Sequence, residues 1–297
     1  MKKISIGLPV YNGERFLRLK LDSILNQTYQ NFELIISNNS STDQTHEICN
    51  EYALKDNRIR YFSQKKNKGA MWNFTFVLEK ACYDYFMWTS VDDILLPKFI
   101  EKNLDILERN KQCVASISKI DSFKPDDENE FLNNNDLEYF TFIKKIRNSI
   151  RPRNVFSLKG NFEKKSRIYL KKSTCQVFYS VFKTDIIKKS YLTNSFLGND
   201  WAIFLNVLKN GDLMVVDEIL MHQYEHGASG RGMILATKQF NRGISIIFPW
   251  YPLTNWCVKN LGWKFFLKNM DYFFQINLEG FFSLFFDLIH SLFNSKK

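Results

Sequence analysis

The sequence predicts an α/β fold: a single Rossmann-type domain with a mainly parallel sheet, followed by C-terminal amphipathic helices. Three observations predict it. Short apolar runs alternate with helical periodicity through the first third of the chain, each run breaks into a polar loop, and the fourth ends on paired acids, Asp92-Asp93.

Lys3 to Pro9 alternates as a strand, and Val10-Tyr11-Asn12-Gly13 turns into an amphipathic stretch from Glu14 to Gln27. Phe16, Leu17, Leu21, Ile24 and Leu25 share one face of that stretch, so it reads as a helix. Phe32 to Ser37 is a second strand, which breaks into Asn38-Asn39-Ser40-Ser41-Thr42-Asp43 before a helix from about Gln44 to Leu54. Ile59 to Ser63 is a third strand, Lys65 to Gly69 a basic turn, and Ala70 to Ala81 a third helix. Tyr85 to Ser90 is the strand that delivers Asp92 and Asp93. Strands and helices at this spacing imply right-handed crossovers, which gather the loops after successive strands on one edge. Ligands bind at that edge in open α/β sheets. Two adjacent acids do not enter a core without a cation or a full set of donors, so the pair implies solvent, a metal or a ligand. On position alone, capping of a helix that starts at Pro97 reads equally well.

Composition sets the outer bounds. With 297 residues and 45% apolar content the chain can bury a sizeable core. Its five cysteines are odd in number, scattered and without a Cys-x-x-Cys pair, which predicts a reducing, cytoplasmic setting and no thiolate zinc site. Met1-Lys2-Lys3 leads into too short an apolar stretch for a signal peptide. No Gly-x-Gly-x-x-Gly and no P-loop pattern occurs, so neither a dinucleotide dehydrogenase nor a P-loop NTPase is supported. The net charge of +10 points to an anionic partner. Lys and Arg cluster from Lys144 to Lys172 around Arg151-Pro152-Arg153, which reads as a mobile loop over a charged ligand or as a solvated surface.

Four ordered segments resemble inverting glycosyltransferases of family 2 with the GT-A fold: Gly7 to Asn12, Ser37 to Thr45, Asn67 to Asn73, and Trp88 to Pro97. The resemblance is clear over roughly the first 110 residues, is weaker at Asn199-Asp200-Trp201 and at Tyr224 to Ser229, and ends there. It implies a nucleotide-sugar site that draws on Pro9, Tyr11, Asn12, Glu14, Asn38, Asn39, Asp43, Asn67, Gly69, Asn73, Ser90, Val91, Asp92 and His226. In the family, the loops after the first two strands hold the nucleoside, and Asp43 braces its loop by capping the next helix. Most members carry Asp where this chain has Asn38, and an amide donates as well as accepts. The family's Asp-x-Asp motif falls on Ser90-Val91-Asp92, so its first acid is absent. The resemblance makes Asp92, with Asp93 beside it, the ligand of Mg²⁺ or Mn²⁺ on the donor diphosphate. It makes Asp200 the catalytic base that takes the acceptor hydroxyl's proton, with simple helix capping as the alternative reading. His226 and Ser229 match a family element that closes over the diphosphate.

These readings divide the chain into a GT-A domain over residues 1–230 and an aromatic segment over residues 231–297. Within the domain, residues 1–110 form the nucleotide-sugar half and residues 111–230 the acceptor half, with the basic loop 144–172. The segment holds Trp250, Trp256, Trp263 and repeated Phe pairs, but Lys259, Lys264, Lys268, Asp271, Glu279 and Asp287 break every run that could span a bilayer. It reads either as helices lying on an anionic membrane or as a subdomain packed on the enzyme or on a dimer partner. The resemblance implies sugar transfer from a nucleotide-diphosphate sugar to a glycan or lipid-linked glycan in bacterial surface-polysaccharide assembly, expected peripherally at the inner face of the cytoplasmic membrane. A polyprenyl-phosphate sugar synthase, a non-catalytic nucleotide-sugar-binding scaffold and a nucleic-acid-binding module are the rival readings. Nucleic acid is not expected, because the basic residues do not interleave with aromatics near the cleft.

Overall fold

The computed structural model describes residues 2–123, 154–224 and 243–294, together with Ile234 and Thr237. The first half runs β1 (Ile4–Val10), α1 (Glu14–Leu25), β2 (Phe32–Asn38), α2 (Thr45–Lys55), β3 (Ile59–Ser63), α3 (Ala70–Lys80), β4 (Tyr85–Trp88), β5 (Ile94–Leu95), α4 (Phe99–Arg109) and β6 (Cys113–Phe123). The second half runs α5 (Phe162–Lys172), a 3-10 turn (Cys175–Tyr179), β7 (Val181–Lys183), α6 (Thr184–Ser190), α7 (Asn199–Asn210) and β8 (Asp212–Tyr224). After a 3-10 turn at Gly243–Ile246 come α8 (Tyr251–Leu261), α9 (Trp263–Lys268) and α10 (Met270–Asn294).

Eight strands form one sheet in the order β3-β2-β1-β4-β7-β6-β8-β5. The pairs among β3, β2, β1 and β4, and the β6-β8 pair, are parallel. β7 is antiparallel to both β4 and β6, and β5 is antiparallel to β8. The mostly parallel α/β fold expected from the alternation is therefore present, with β7 and β5 adding the mixed pairings. β1, β2 and β4 are near-continuous apolar runs because helices cover both faces of the parallel part, leaving almost no exposed position. Glu33 is the exception on β2, and it is satisfied: Ser5 Oγ donates at 2.6 Å, Arg60 Nη1 at 2.6 Å, and Cys82 adds a third donor. All five cysteines are free thiols.

One expectation changes, and one of two alternatives is met. The basic segment is not a loop over residues 162–172: Asn161 Oδ1 accepts the Lys164 N–H at 2.9 Å and starts α5. The charge there is partly buried, since Lys165, 4% exposed, donates from Nζ to Asp212 Oδ1 at 2.9 Å and to the Gly211 carbonyl at 2.6 Å. Residues 144–153 of that cluster lie outside the described residues. The aromatic segment packs on the domain along one face: Leu253, Cys257, Phe265, Tyr272, Phe273 and Ile276 are buried in the same core as the sheet. Arg167 and Lys171 of α5 both reach Asp271, and Lys268 pairs with Glu163 at 2.6 Å. Other side chains of the segment remain exposed. Among the described residues no helix is long and apolar enough to cross a membrane.

Candidate active site

The loops after β1 and β2 are stitched together by side chains. Asn12, at φ 49°, donates its N–H to Ser41 Oγ at 2.9 Å, and its Oδ1 accepts the Thr42 N–H at 2.9 Å. Gly13 N donates to Thr45 Oγ1 at 2.8 Å. The starts of α1 and α2 then cap each other: Glu14 N donates to Asp43 Oδ2 at 3.1 Å, while Gln44 N donates to Glu14 Oε2 at 2.8 Å. Asp43 Oδ1 also accepts the Thr45 N–H, so the brace expected of Asp43 spans both loops. Orphan N–H groups at two helix starts are met reciprocally.

Asn38 and Asn39 lie behind this rim, each 2% exposed. Asn38 Oδ1 accepts the Ser41 N–H at 2.9 Å and its Nδ2 donates to Tyr61 Oη at 3.1 Å. Tyr61 Oη is also 2.8 Å from His46 Nδ1. Asn39 Nδ2 donates to Asn67 Oδ1 at 3.0 Å and to the Gly69 carbonyl at 3.1 Å, and its Oδ1 accepts the Lys68 N–H at 3.0 Å. Asn73, 3% exposed, donates to the Ser37 carbonyl at 2.9 Å. These three amides hold the backbone of the basic turn and the β2 loop. The open edge is formed by the backbone and side chains in front of them, including Tyr11 at 49% exposure and the exposed Asn67 and Gly69.

The acid loop follows β4, one strand over from the stitched loops. Ser90 Oγ donates to Asp92 Oδ1, and Ser90, Val91 and Asp92 are half-buried. Asp93 is 2% exposed, with Oδ2 buried and unpartnered, so Asp92 is the carboxylate of the pair that reaches the surface. Behind the loop, Lys20 is fully buried on α1 and donates from Nζ to the Asp93 carbonyl at 3.0 Å. Burial pushes the Lys20 amine down, and the two carboxylates pull it partly back. Burial and the neighbouring Asp92 push the Asp93 carboxyl up, while Lys20 and the Tyr224 N–H oppose that shift. Tyr224 ends β8, and β5 pairs Ile94 with His222, so the acid loop sits beside the end of β8. His226 and Ser229 lie just past that end, outside the described residues.

Asp200 is in the first turn of α7 and half-buried. The cap position is Gly198, in the left-handed region at φ 89°, so Asp200 is not the N-cap. Asn199 Nδ2 contacts Met71 Sδ at 3.7 Å, which brings the start of α7 against the start of α3 and the basic turn. Tyr179 joins the two acidic elements: burial and the carboxylates of Asp93, Asp92 and Asp200 all push its phenol well above the usual range, keeping it protonated. Phe178 beside it stacks on Trp88 at 4.5 Å. Sequence reading missed Lys20 and Tyr179. Lys20 had a signal, a cation between Leu17 and Leu21 on the apolar stripe of α1; Tyr179 had none.

Asp92, a half-buried hard oxygen donor, is the side chain here that would hold a divalent cation. Among the described residues no three His, Cys, Asp or Glu side chains gather to hold a metal.

The sequence profile of glycosyl transferase family 2 matches residues 5–190. The chain belongs to that family. An uncharacterized glycosyltransferase of Haemophilus influenzae is 40% identical over 110 residues, covering 37% of this chain and 44% of its own. The putative glycosyltransferase EpsE of Bacillus subtilis is 36% identical over 110 residues, covering 37% and 40%. The matched region thus spans less than half of those relatives. Among solved structures, the mannosyltransferase PcManGT of Pyrobaculum calidifontis, in complex with GDP-Man and Mn²⁺, superposes with TM-score 0.58 at 13% identity over 98% of this chain and 75% of its own. TarS 1–349 of S. aureus, in complex with UDP-GlcNAc, gives 0.55 at 13% identity over 93% and 79%. These likenesses show a shared GT-A-like fold.

Proposed function

We propose that the chain is an inverting glycosyltransferase that moves a sugar from a nucleotide-diphosphate sugar to a glycan or lipid-linked glycan acceptor in surface-polysaccharide assembly. What supports this reading is that burial and the carboxylates of Asp93, Asp92 and Asp200 all push the Tyr179 phenol up, which relates the acid loop after β4 electrostatically to the start of α7. Inversion needs those two parts on opposite sides of the anomeric carbon. Asp200 takes the proton of the attacking acceptor hydroxyl. Tyr179, held neutral by its burial and by these carboxylates, keeps its phenol proton. The stitched loops after β1 and β2 present a rigid rim to the nucleoside, with Tyr11 exposed for the base. Asp92 would hold a Mg²⁺ or Mn²⁺ ion, which when bound would neutralise charge on the leaving diphosphate. Support for nucleotide-sugar chemistry comes from the family and from the sugar nucleotides bound by TarS and PcManGT.

Peripheral placement at the inner face of the cytoplasmic membrane belongs to the same proposal. Trp263 and Leu267, 66% and 62% exposed, stand beside exposed Lys259 and Lys264 on α8 and α9, a pairing of aromatic bulk and cation suited to an anionic surface.

The test is calorimetric titration with UDP-, GDP-, dTDP- and CMP-sugars, with and without Mn²⁺, on wild type, Asp92→Ala and Asp200→Asn. Expected is metal-dependent binding of one donor, lost in Asp92→Ala and retained in Asp200→Asn, which fails only in transfer. Absence of binding to every donor overturns the reading.

A further inference from the structure

α10 has two apolar faces. Tyr272, Phe273 and Ile276 are buried against the domain, and at Gly280 the helix approaches so closely that an added Cβ would lie 2.7 Å from Trp250. On another face Phe274, Leu278, Phe281, Phe285, Leu288 and Leu292 are between 36% and 71% exposed. A helix that is apolar beyond the face it buries calls for a second partner. The steps between those six residues alternate four and three, the period of a seam that packs on another helix. The pattern reads the same in both directions. An antiparallel copy crossing at Ser283 therefore sets Phe274 opposite Leu292, Leu278 opposite Leu288, and Phe281 opposite Phe285.

Charge and area select the occupant. Residues 270–294 contain no Lys or Arg and three acids, Asp271, Glu279 and Asp287, in a chain with 41 basic residues. A helix lying on anionic lipid places cations beside its apolar face, and α10 has none. With roughly 200 Å² for a whole side chain of this size, the six residues and the flanking Phe282 and Phe286 expose about 800 Å². That matches one partner's share, about 800 Å², of a stable protein interface, and exceeds the roughly 300–600 Å² of a typical monomer's largest apolar patch.

We propose that the chain forms an isologous dimer in which α10 of one copy packs antiparallel on α10 of the other. Such a seam is self-complementary about a two-fold axis.

Size-exclusion chromatography with light scattering on the full chain tests this. Wild type should run at twice the monomer mass, and Leu278→Lys and Leu288→Glu should each run as monomers that keep the wild-type circular dichroism spectrum and sugar-nucleotide affinity. Mixed in equal amounts, the two variants should recover a dimer, because the antiparallel register sets one substitution against the other. A monomeric wild type, a dimer that survives both substitutions, or a mixture that stays monomeric overturns the proposal. So does a wild type that is monomeric and co-floats with phosphatidylcholine–phosphatidylglycerol vesicles unless Leu288 is changed to Glu, which gives the face to lipid. Donor binding is read separately, so failure of the dimer leaves the proposed activity standing.

Discussion

Asn39→Asp isolates the hydrogen bonds that fix the basic turn, because it removes two donors without changing side-chain volume. Asn39 is 2% exposed, and its Nδ2 donates to Asn67 Oδ1 at 3.0 Å and to the Gly69 carbonyl at 3.1 Å. A carboxylate would set an acceptor against both. Asn67 cannot turn its amide to help without losing the Gly69 N–H that its Oδ1 accepts at 2.8 Å. The new acid keeps one bond by staying protonated, which raises its folded pKa above the unfolded value of about 3.9. A raised carboxyl pKa costs stability progressively as pH rises from the unfolded pKa towards the folded one, by up to about 1.4 kcal/mol per unit. We therefore expect a loss of about 1 kcal/mol near pH 4, from the one donor bond removed, growing to about 3–4 kcal/mol at pH 7. Equilibrium urea unfolding across that pH range measures it. A loss below about 1 kcal/mol that does not change with pH would show that Asn39 is not holding the turn.

Three further outcomes are expected. Gly198→Ala places a side chain at φ 89° and 3.1 Å from Leu253 Cβ, so it should cost about 1–3 kcal/mol in thermal unfolding and lower kcat more than donor affinity, since Asp200 follows two residues on. Lys165→Met leaves Asp212 and the Gly211 carbonyl without their cation and should cost roughly 2–4 kcal/mol by urea denaturation, with donor affinity unchanged. The Glu33 carboxyl is held below its ordinary range by Ser5, Arg60 and Cys82 against the opposing effect of burial, so its stabilisation is present above the unfolded pKa and is lost as pH falls through the folded one. Glu33→Gln should flatten the acid limb of a thermal stability profile below about pH 4.5, and an unchanged limb would refute that assignment.

The parallel part of the sheet was legible because β1, β2 and β4 are buried on both faces and each ends in a polar loop of recognisable composition. β5 and β7 were not, since two and three residues are too few to show a period. α5 was hidden by its own charge: Lys164, Lys165, Arg167, Lys171 and Lys172 masked the spacing of Phe162, Tyr169 and Leu170. At the site, residue types and loop membership could be read, but not which end of a side chain is spent on the fold. The family resemblance implies ligand contacts for Asn38 and Asn39, and the structure shows their amides bonded to the surrounding chain. Tyr179 entered through a turn with no periodicity, so only the three-dimensional arrangement relates it to the acids.

The reciprocal capping of Glu14 and Asp43 has a consequence for how donor preference can change. Each carboxylate closes the other element's helix start, so exchanging Glu14 releases the Gln44 N–H, whereas exchanging Asp43 releases N–H groups at both starts. Residues 12, 14, 43 and 45 are wired into one frame, and under the proposed function a shift in base preference would be more accessible at Tyr11, whose exposed side chain stands outside those bonds. These hydrogen bonds are made within the chain itself, so at the proposed donor site discrimination would fall on the few groups that the frame leaves uncommitted.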